Sequence, residues 1–221
     1  MNGATQYSLP LDNAASADGA EYIVSSCNQD AYQSLIERNN TMQHHATLLI
    51  GEALSGKSTL ATLWQEQHKA ITLSALTLAP DLPTIAKNYY VLDDCELCDE
   101  SELFHLLNQA KSMQSSLLLT ASKSASLLPF TLPDLTSRLR ALPVVKILQP
   151  DDAMMTYRVQ RHLQRHGVSI QQHALYYLIP RLPRSYHSIN TICDELIALV
   201  EQEKRTVTVP LIRQLLQEKS L

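Results

Sequence analysis

The stretch Gly51-Glu52-Ala53-Leu54-Ser55-Gly56-Lys57-Ser58 limits what this chain can fold into more than any other, because a G-x-x-x-x-G-K-[ST] loop works between a strand and a helix. Both flanks are present. Ala46-Thr47-Leu48-Leu49-Ile50 reads as a short buried strand, and Thr59 to Trp64 carries apolar residues at helical spacing. Gly51 and Gly56 permit backbone angles that a β-carbon penalises, so successive N–H groups can turn inward toward a phosphate. Lys57 has the reach for the outer phosphates, the Ser58 hydroxyl suits Mg²⁺, and the positive end of the following helix faces the same anion. The expected nucleotide-binding residues here are Gly51, Ser55, Gly56, Lys57, Ser58 and Thr59. The plain alternative is a strand-to-helix turn whose lysine is merely exposed.

Tyr89-Tyr90-Val91-Leu92-Asp93-Asp94 supplies the second half of such a site, an apolar strand ending in two carboxylates. Asp93 is placed to hold Mg²⁺ through water and Asp94 to orient an attacking water. A strand that simply stops at a polar turn is the alternative. Further strands are predicted at 70–73, 117–120 and 144–148, with helical stripes at 102–114 and 135–142 between them. Strands separated by helices predict parallel crossovers, hence a layered α/β domain with a five-stranded parallel sheet and ligands at the carboxyl ends of its strands. After Pro150 the pattern is helical, at 151–166, 169–179, 184–204 and 210–216, apart from a short strand signal at 206–209. Asp151 or Asp152 caps the first of these helices and Gly167 ends it. The expected division is a flexible tail over 1–20, a P-loop nucleotide-binding domain over 21–150 and a helical domain over 151–221.

The formal net charge of −4 on 221 residues gives no electrostatic reason for strong non-specific binding to nucleic acid. Arg158, Arg161 and Arg165 share a helix face, which is most simply a solvated surface. No apolar run reaches membrane length and the first residues lack the character of a secretory signal, so a cytoplasmic protein without membrane attachment is expected. Four cysteines do not suggest a disulfide framework; Cys95-x-x-Cys98 lacks a second pair for zinc, and His162 and His166 lie in a helix rich in Arg and Gln. In the tail, Pro10 biases Leu9 toward extended geometry, so that Leu9 and Leu11 can be offered to a groove, although taken alone the segment reads more simply as a tail with two stray leucines. Tyr22-Ile23-Val24 is a short extended run, and Asn28 is a plausible N-cap for a helix through Ala31, Tyr32, Leu35 and Ile36.

Five stretches together resemble the DnaA-related branch of AAA+ proteins, and within it the Hda (HdaA) family of regulatory inactivators of the replication initiator DnaA. Gln6-Tyr7-Ser8-Leu9-Pro10-Leu11 is similar to the family's Q-L-S-L-P-L clamp-binding segment, with Tyr7 in place of leucine. Tyr22 to Asn28 is similar to the F-V-x-G-x-S-N element beside the adenine, with Ser25 and Cys27 as departures, and the phosphate loop has Leu54 where glycine is usual. Leu132-Pro133-Asp134-Leu135-Thr136-Ser137-Arg138-Leu139 resembles the L-P-D-L-x-S-R-L run that carries the arginine finger, and Val207-Thr208-Val209-Pro210 with the helix after it resembles the family's C-terminus.

The resemblance implies an AAA+ domain with a helical lid that binds ADP or ATP with Mg²⁺. It makes Ile23 and Asn28 adenine-side residues and Arg138 a finger acting in trans. It assigns Gln6, Ser8, Leu9, Pro10 and Leu11 to the β sliding clamp of DNA polymerase III. DnaA is the implied second partner, a homo-oligomer is possible, and no sequence-specific DNA contact is expected. His187 aligns with the second sensor arginine, yet a neutral imidazole does not replace a fixed guanidinium. Ser122 stands where close relatives of DnaA have an acidic first sensor, leaving Thr120 or Ser122 as the polar candidate, and Asp94 is shorter than the glutamate common in active sites. The implied function is thus a negative regulator of replication initiation with weak or no ATPase activity of its own. A self-sufficient P-loop ATPase or a clamp-loader-like subunit is the alternative.

Overall fold

The computed structural model describes residues 12–15, 21–37, 45–76, 89–203 and 206–218. They divide into two compact units, with the break between Leu148 and Gln149. In the first unit, β1 (Asp12–Ala15) and β2 (Glu21–Val24) form a two-stranded sheet, so four residues of the expected tail are strand. Asp-Asn-Ala-Ala carries no apolar alternation; what marks the pair is β2, whose Tyr22, Ile23 and Val24 are buried. α1 (Gln29–Tyr32) follows and runs on as a π-helical turn, Gln33–Glu37.

β3 (Ala46–Ile50), α2 (Lys57–His68), β4 (Ile71–Leu73), β5 (Tyr89–Leu92), α3 (Glu100–Ser112), β6 (Ser116–Ala121), α4 (Pro133–Ala141) and β7 (Val144–Lys146) complete this unit. The main sheet is five-stranded and parallel, in the order β4-β5-β6-β3-β7. Continuous apolar runs occupy its centre: Leu48, Leu49, Leu117, Leu118 and Leu119 are fully buried, as strands covered on both faces require. The edge strands are short, and Ile71 of β4 is 48% exposed. Leu48, Leu92 and Leu119 pack with Leu103 and Leu106 of α3 and Leu135 and Leu139 of α4 into one core, each such side chain contributing roughly 1.5–3 kcal/mol.

The registers bring the functional ends level. Ile50 pairs with Ala121 on one side and Lys146 on the other, and Leu92 pairs with Leu119. The residues after β3, β5 and β6, namely the phosphate loop, Asp93-Asp94 and Ser122, therefore leave the sheet along one edge. β7 is shorter than the predicted 144–148, because the Leu148 N–H turns away to the carbonyl of Cys27 at 2.8 Å. α3 starts two residues earlier than predicted, since the Asp99 carboxylate accepts from the N–H groups of Ser101 (2.9 Å) and Glu102 (3.2 Å), a cap worth about 1 kcal/mol.

The second unit holds α5 (Asp152–Arg165), α6 (Gln172–Leu178), a 3₁₀ turn Ile179–Arg181, α7 (Tyr186–Glu203) and α8 (Val209–Glu218). Asp151 caps α5 by accepting from Met154 N–H at 2.7 Å, and Gly167, at φ 70°, ends it. A β-carbon on Gly167 meets nothing within 4 Å, so the backbone angle alone explains the glycine. Met155, Val159 and Leu163 of α5, four residues apart, pack with Leu175, Leu178, Ile189, Cys193 and Ile212. The strand expected at 206–209 reduces to one parallel bridge between Ile170 and Val207. Ile170, tied up in that bridge, also explains why α6 begins later than predicted.

Candidate nucleotide site and the arginine-bearing helix

The loop between β3 and α2 is closed too tightly for a side chain at its first residue. A β-carbon on Gly51 would lie 2.6 Å from Ser55 Oγ, 3.1 Å from Ile147 Cβ and 3.3 Å from Lys57 Cγ. Gly51 N–H donates to the carbonyl of Ala121 at 3.2 Å, fastening the loop to the end of β6. Two left-handed residues complete it: Gly56 at φ 99° and Leu54 at φ 66°. Leu54 is the departure noted from the usual glycine; an L-residue in that region carries about 1–2 kcal/mol of strain, and this side chain is 49% exposed. Lys57 is buried, and its Nζ donates to the Glu52 carbonyl at 3.2 Å. Ser55 Oγ is buried without a hydrogen-bond partner among the described residues. A cradle with no room for a β-carbon, an orphaned hydroxyl, an inward ammonium and a helix N-terminus together fit a phosphate group. Thr59 is half-buried in the first turn of α2 and Ser58 is exposed there. The oxygen donors of Ser58 and Asp93 match a hard cation such as Mg²⁺.

At the end of β5 a single hydroxyl organises both carboxylates. Thr120 Oγ1 donates to Asp93 Oδ1 and accepts from the Asp94 N–H at 2.9 Å. Ser122, the other polar candidate, donates its backbone N–H to Glu96 Oε1 at 2.8 Å. Glu96 is a residue the sequence did not single out. It follows Asp94 on a 3₁₀ turn, Cys95–Leu97, and its Oε2 is buried without a partner. Asp94 adopts φ 49°, tolerable for Asp. Burial pushes its carboxyl above the usual range, Asp93 and Glu96 add to the rise, and Lys57 opposes it.

The folded state therefore holds this proton more tightly than the unfolded chain, and stability declines as pH rises from the ordinary aspartate range through the raised value. Asp94→Asn is expected to raise the melting temperature at neutral pH on the order of 1 °C, held small by the carboxyl's exposure. The gain should vanish near pH 3, where the unfolded carboxyl is protonated as well. Melting curves at both pH values check this, and an equal shift in the two rules out charge as its cause.

Asn28 sits at the start of α1, but its side chain does not cap the helix as expected. It folds back instead: Nδ2 donates to the Ile23 carbonyl at 2.8 Å and Oδ1 accepts from Ser25 N–H at 2.8 Å, which staples the turn after β2. The two departures in this element face each other, Ser25 Oγ lying 3.1 Å from Cys27 Sγ. A cavity of about 300 Å³ opens beside the turn, bordered by Cys27, Asp30, Lys146 and Leu148.

Arg138, on α4, is half-buried, and its guanidinium lies 4.9 Å from the centroid of the Phe104 ring. Such a cation–π contact contributes about 0.5–1 kcal/mol and holds the charge without neutralising it. Arg140 is exposed. The loop leading into α4 is tied to α3: the Glu100 carboxylate accepts from Thr131 N–H (2.7 Å), the Thr131 hydroxyl (2.7 Å) and Leu132 N–H (2.8 Å). In the second unit His187 is exposed at the start of α7, while the nearby Arg184 pairs with Asp152 at 2.6 Å. Gln6, Ser8, Leu9, Pro10 and Leu11 lie outside the described residues.

All four cysteines are free and buried. Burial pushes the thiols of Cys98 and Cys193 up to about 12 and that of Cys95 higher still. His162 stacks on His166 and pairs with Asp194 at 2.7 Å, and among the described residues no group of three or more His, Cys, Asp or Glu is arranged to hold a metal. Among those residues, too, no helix is long and apolar enough to cross a membrane.

Residues 152–216 match the family model described as Hda, lid domain. An uncharacterized protein of Haemophilus influenzae is 32% identical over 121 residues, which cover 53% of this chain and 52% of that one; the match thus spans about half the length of this relative. Among solved structures, domain III of the replication initiation protein DnaA of Thermotoga maritima superposes with a TM-score of 0.67 at 15% identity, over 89% of this chain and 94% of that one. AMPPCP-bound DnaA from Aquifex aeolicus gives 0.64 at 16% identity, over 90% and 68%. A RuvB mutant from Thermotoga maritima gives 0.63 at 13% identity, over 86% and 68%. At these identities the structures establish the fold, which is that of AAA+ proteins.

Proposed function

We propose that this chain, whose residues 152–216 match the Hda lid-domain model and whose fold is that of DnaA domain III, is an Hda-like regulatory adaptor that lends Arg138 to the nucleotide site of ATP-bound DnaA. The observation that carries the reading is Arg138 itself, a guanidinium laid on an aromatic ring with no carboxylate paired to it among the described residues. Its full charge is therefore available to a second molecule. Delivered in trans, such a group stabilises negative charge developing on the transferring phosphoryl oxygens and accelerates hydrolysis by about 10³–10⁵.

The chain's own phosphate loop binds ADP or ATP as a structural ligand. Gly56 and the start of α2 present N–H groups to the phosphates, Gly51 lets the loop close, Lys57 and Ser55 turn inward, and Ile23 and Asn28 shape the adenine side. Ser58 and Asp93 hold Mg²⁺, which when bound neutralises phosphate charge. Thr120 keeps Asp93 and Asp94 aligned, and His187 stands in place of an arginine reader. Little turnover by this chain follows from that last substitution.

The tail tethers the protein to the β clamp on DNA, which raises the effective concentration of a weak contact with DnaA. Deleting residues 6–11 is expected to abolish recovery by immobilised clamp and to weaken the clamp-dependent activity by about 10²–10⁴, with nucleotide affinity unchanged. Recovery of the truncated chain at the wild-type level removes the tail assignment. The deciding assay is hydrolysis of DnaA-bound ATP, followed with and without this protein and clamp-loaded DNA. Stimulation that needs both supports the adaptor. Brisk hydrolysis by this protein alone, eliminated by Lys57→Ala, points to the self-sufficient ATPase instead.

A further inference from the structure

α4 has nine residues, too few to hold a helical register unaided, so its placement is set by what grips it from outside. Leu135 and Leu139 bury one face. The helix start lacks a side-chain cap: Leu132, at the N-cap, has no side chain that accepts a hydrogen bond, and only the fixed φ of Pro133 favours the first turn. A carboxylate from another helix grips the two residues just before α4. Glu100 takes three hydrogen bonds from Thr131 and Leu132, and its charge stands at the positive end of α4. Glu100 and Phe104 are one turn apart on α3 and share a face. Thus one face of α3 holds both the beginning of α4 and, through the ring, the guanidinium of Arg138.

We infer that Glu100 is a positioning residue for Arg138: by fixing Thr131 and Leu132, the residues that lead into α4, it sets where the guanidinium meets the phosphates of a docked partner. The inference rests on the finger role proposed above. The carboxylate is ionised at neutral pH, because its bonds from Leu132 N–H and then Thr131 hold it below the usual range. Glu100→Gln removes the charge, so the bonds from the Thr131 and Leu132 N–H groups become neutral and roughly half as strong, and the amide NH₂ can only donate to a rotated Thr131 hydroxyl. Hydrolysis depends steeply on the placement of catalytic groups, and a shift near 1 Å costs about 10²-fold.

The test uses the full-length protein with ATP-bound DnaA and clamp-loaded DNA, titrated to saturation. For Glu100→Gln the maximal stimulated rate should fall tenfold or more, on that scale, while the half-saturating concentration and the nucleotide affinity stay at wild-type values. Glu100→Asp, which keeps the charge on a shorter arm, should recover part of the rate. A general weakening of the fold would move affinity and melting temperature together and would not be rescued by aspartate. If Glu100→Gln fails to fold, Thr131→Val removes the hydroxyl donor alone, and a several-fold drop in maximal rate is expected in its place. A folded Glu100→Gln variant with the wild-type maximal rate overturns the inference, as does wild-type behaviour of Thr131→Val where that variant decides. Arg138→Ala run in parallel separates the two levels. Full stimulation by Arg138→Ala removes the finger role and this inference with it, whereas loss in Arg138→Ala without loss in Glu100→Gln removes the inference alone.

Discussion

Replacing Arg138 by alanine is expected to lower the stimulated hydrolysis of DnaA-bound ATP by about 10³-fold or more, the scale of a guanidinium delivered in trans. Nucleotide binding by this chain and recovery by the clamp should be untouched, because Arg138 rests on Phe104 and belongs to α4, away from the phosphate loop in sequence. Arg138→Lys should also be poor. An ammonium keeps the charge but loses the planar fork that spans two phosphoryl oxygens and the stacking that stores it over the ring. Single-turnover measurement of the DnaA-bound nucleotide provides the check. Unimpaired stimulation by Arg138→Ala would leave the adaptor without its chemistry.

A smaller loss, still large for a single methyl, is expected at the phosphate loop from Gly51→Ala. The added methyl enters a space where Ser55 Oγ is 2.6 Å away and Ile147 and Lys57 crowd the other sides. Forcing an atom into such packing costs about 1–3 kcal/mol, which appears as roughly 5- to 150-fold weaker binding of ADP or ATP. The double variant Gly51→Ala/Ser55→Gly clears the nearest atom and should recover part of that loss, Ile147 Cβ remaining at 3.1 Å. Titration with a fluorescent adenine nucleotide distinguishes the cases. Wild-type affinity in Gly51→Ala would mean that the nucleotide lies elsewhere, and failure of the wild-type chain to bind any adenine nucleotide would remove the whole proposal.

Most of this architecture was legible in the sequence because it is written in local patterns. Leu-rich runs with no polar alternation mark strands covered on both faces, and β3, β5 and β6 fall where the runs do. Less visible was whatever depends on a partner distant in the chain. β1 has no apolar signature and exists through β2, while the run at 206–209 finds a single bridging residue, Ile170, in place of a neighbouring strand. Asn28 shows the same limit at the level of one side chain: its type suits a cap, but two backbone groups of the preceding turn claim it first. In the candidate site, the residues that belong to a motif were evident. Those that hold them in place, such as Glu96 behind Ser122 and Glu100 behind α4, are ordinary acids in helical turns until the fold brings their donors near.

The burial of all four thiols carries a last consequence. A thiol attacks peroxide or a mixed disulfide only as the thiolate, and Cys95, Cys98 and Cys193 are held protonated far above neutral pH inside apolar surroundings. Changes in the redox state of the surroundings thus find no ready handle on these three residues. Their oxidation has to wait for a local opening that exposes the sulfur, so a modified Cys95, Cys98 or Cys193 would record unfolding of its surroundings.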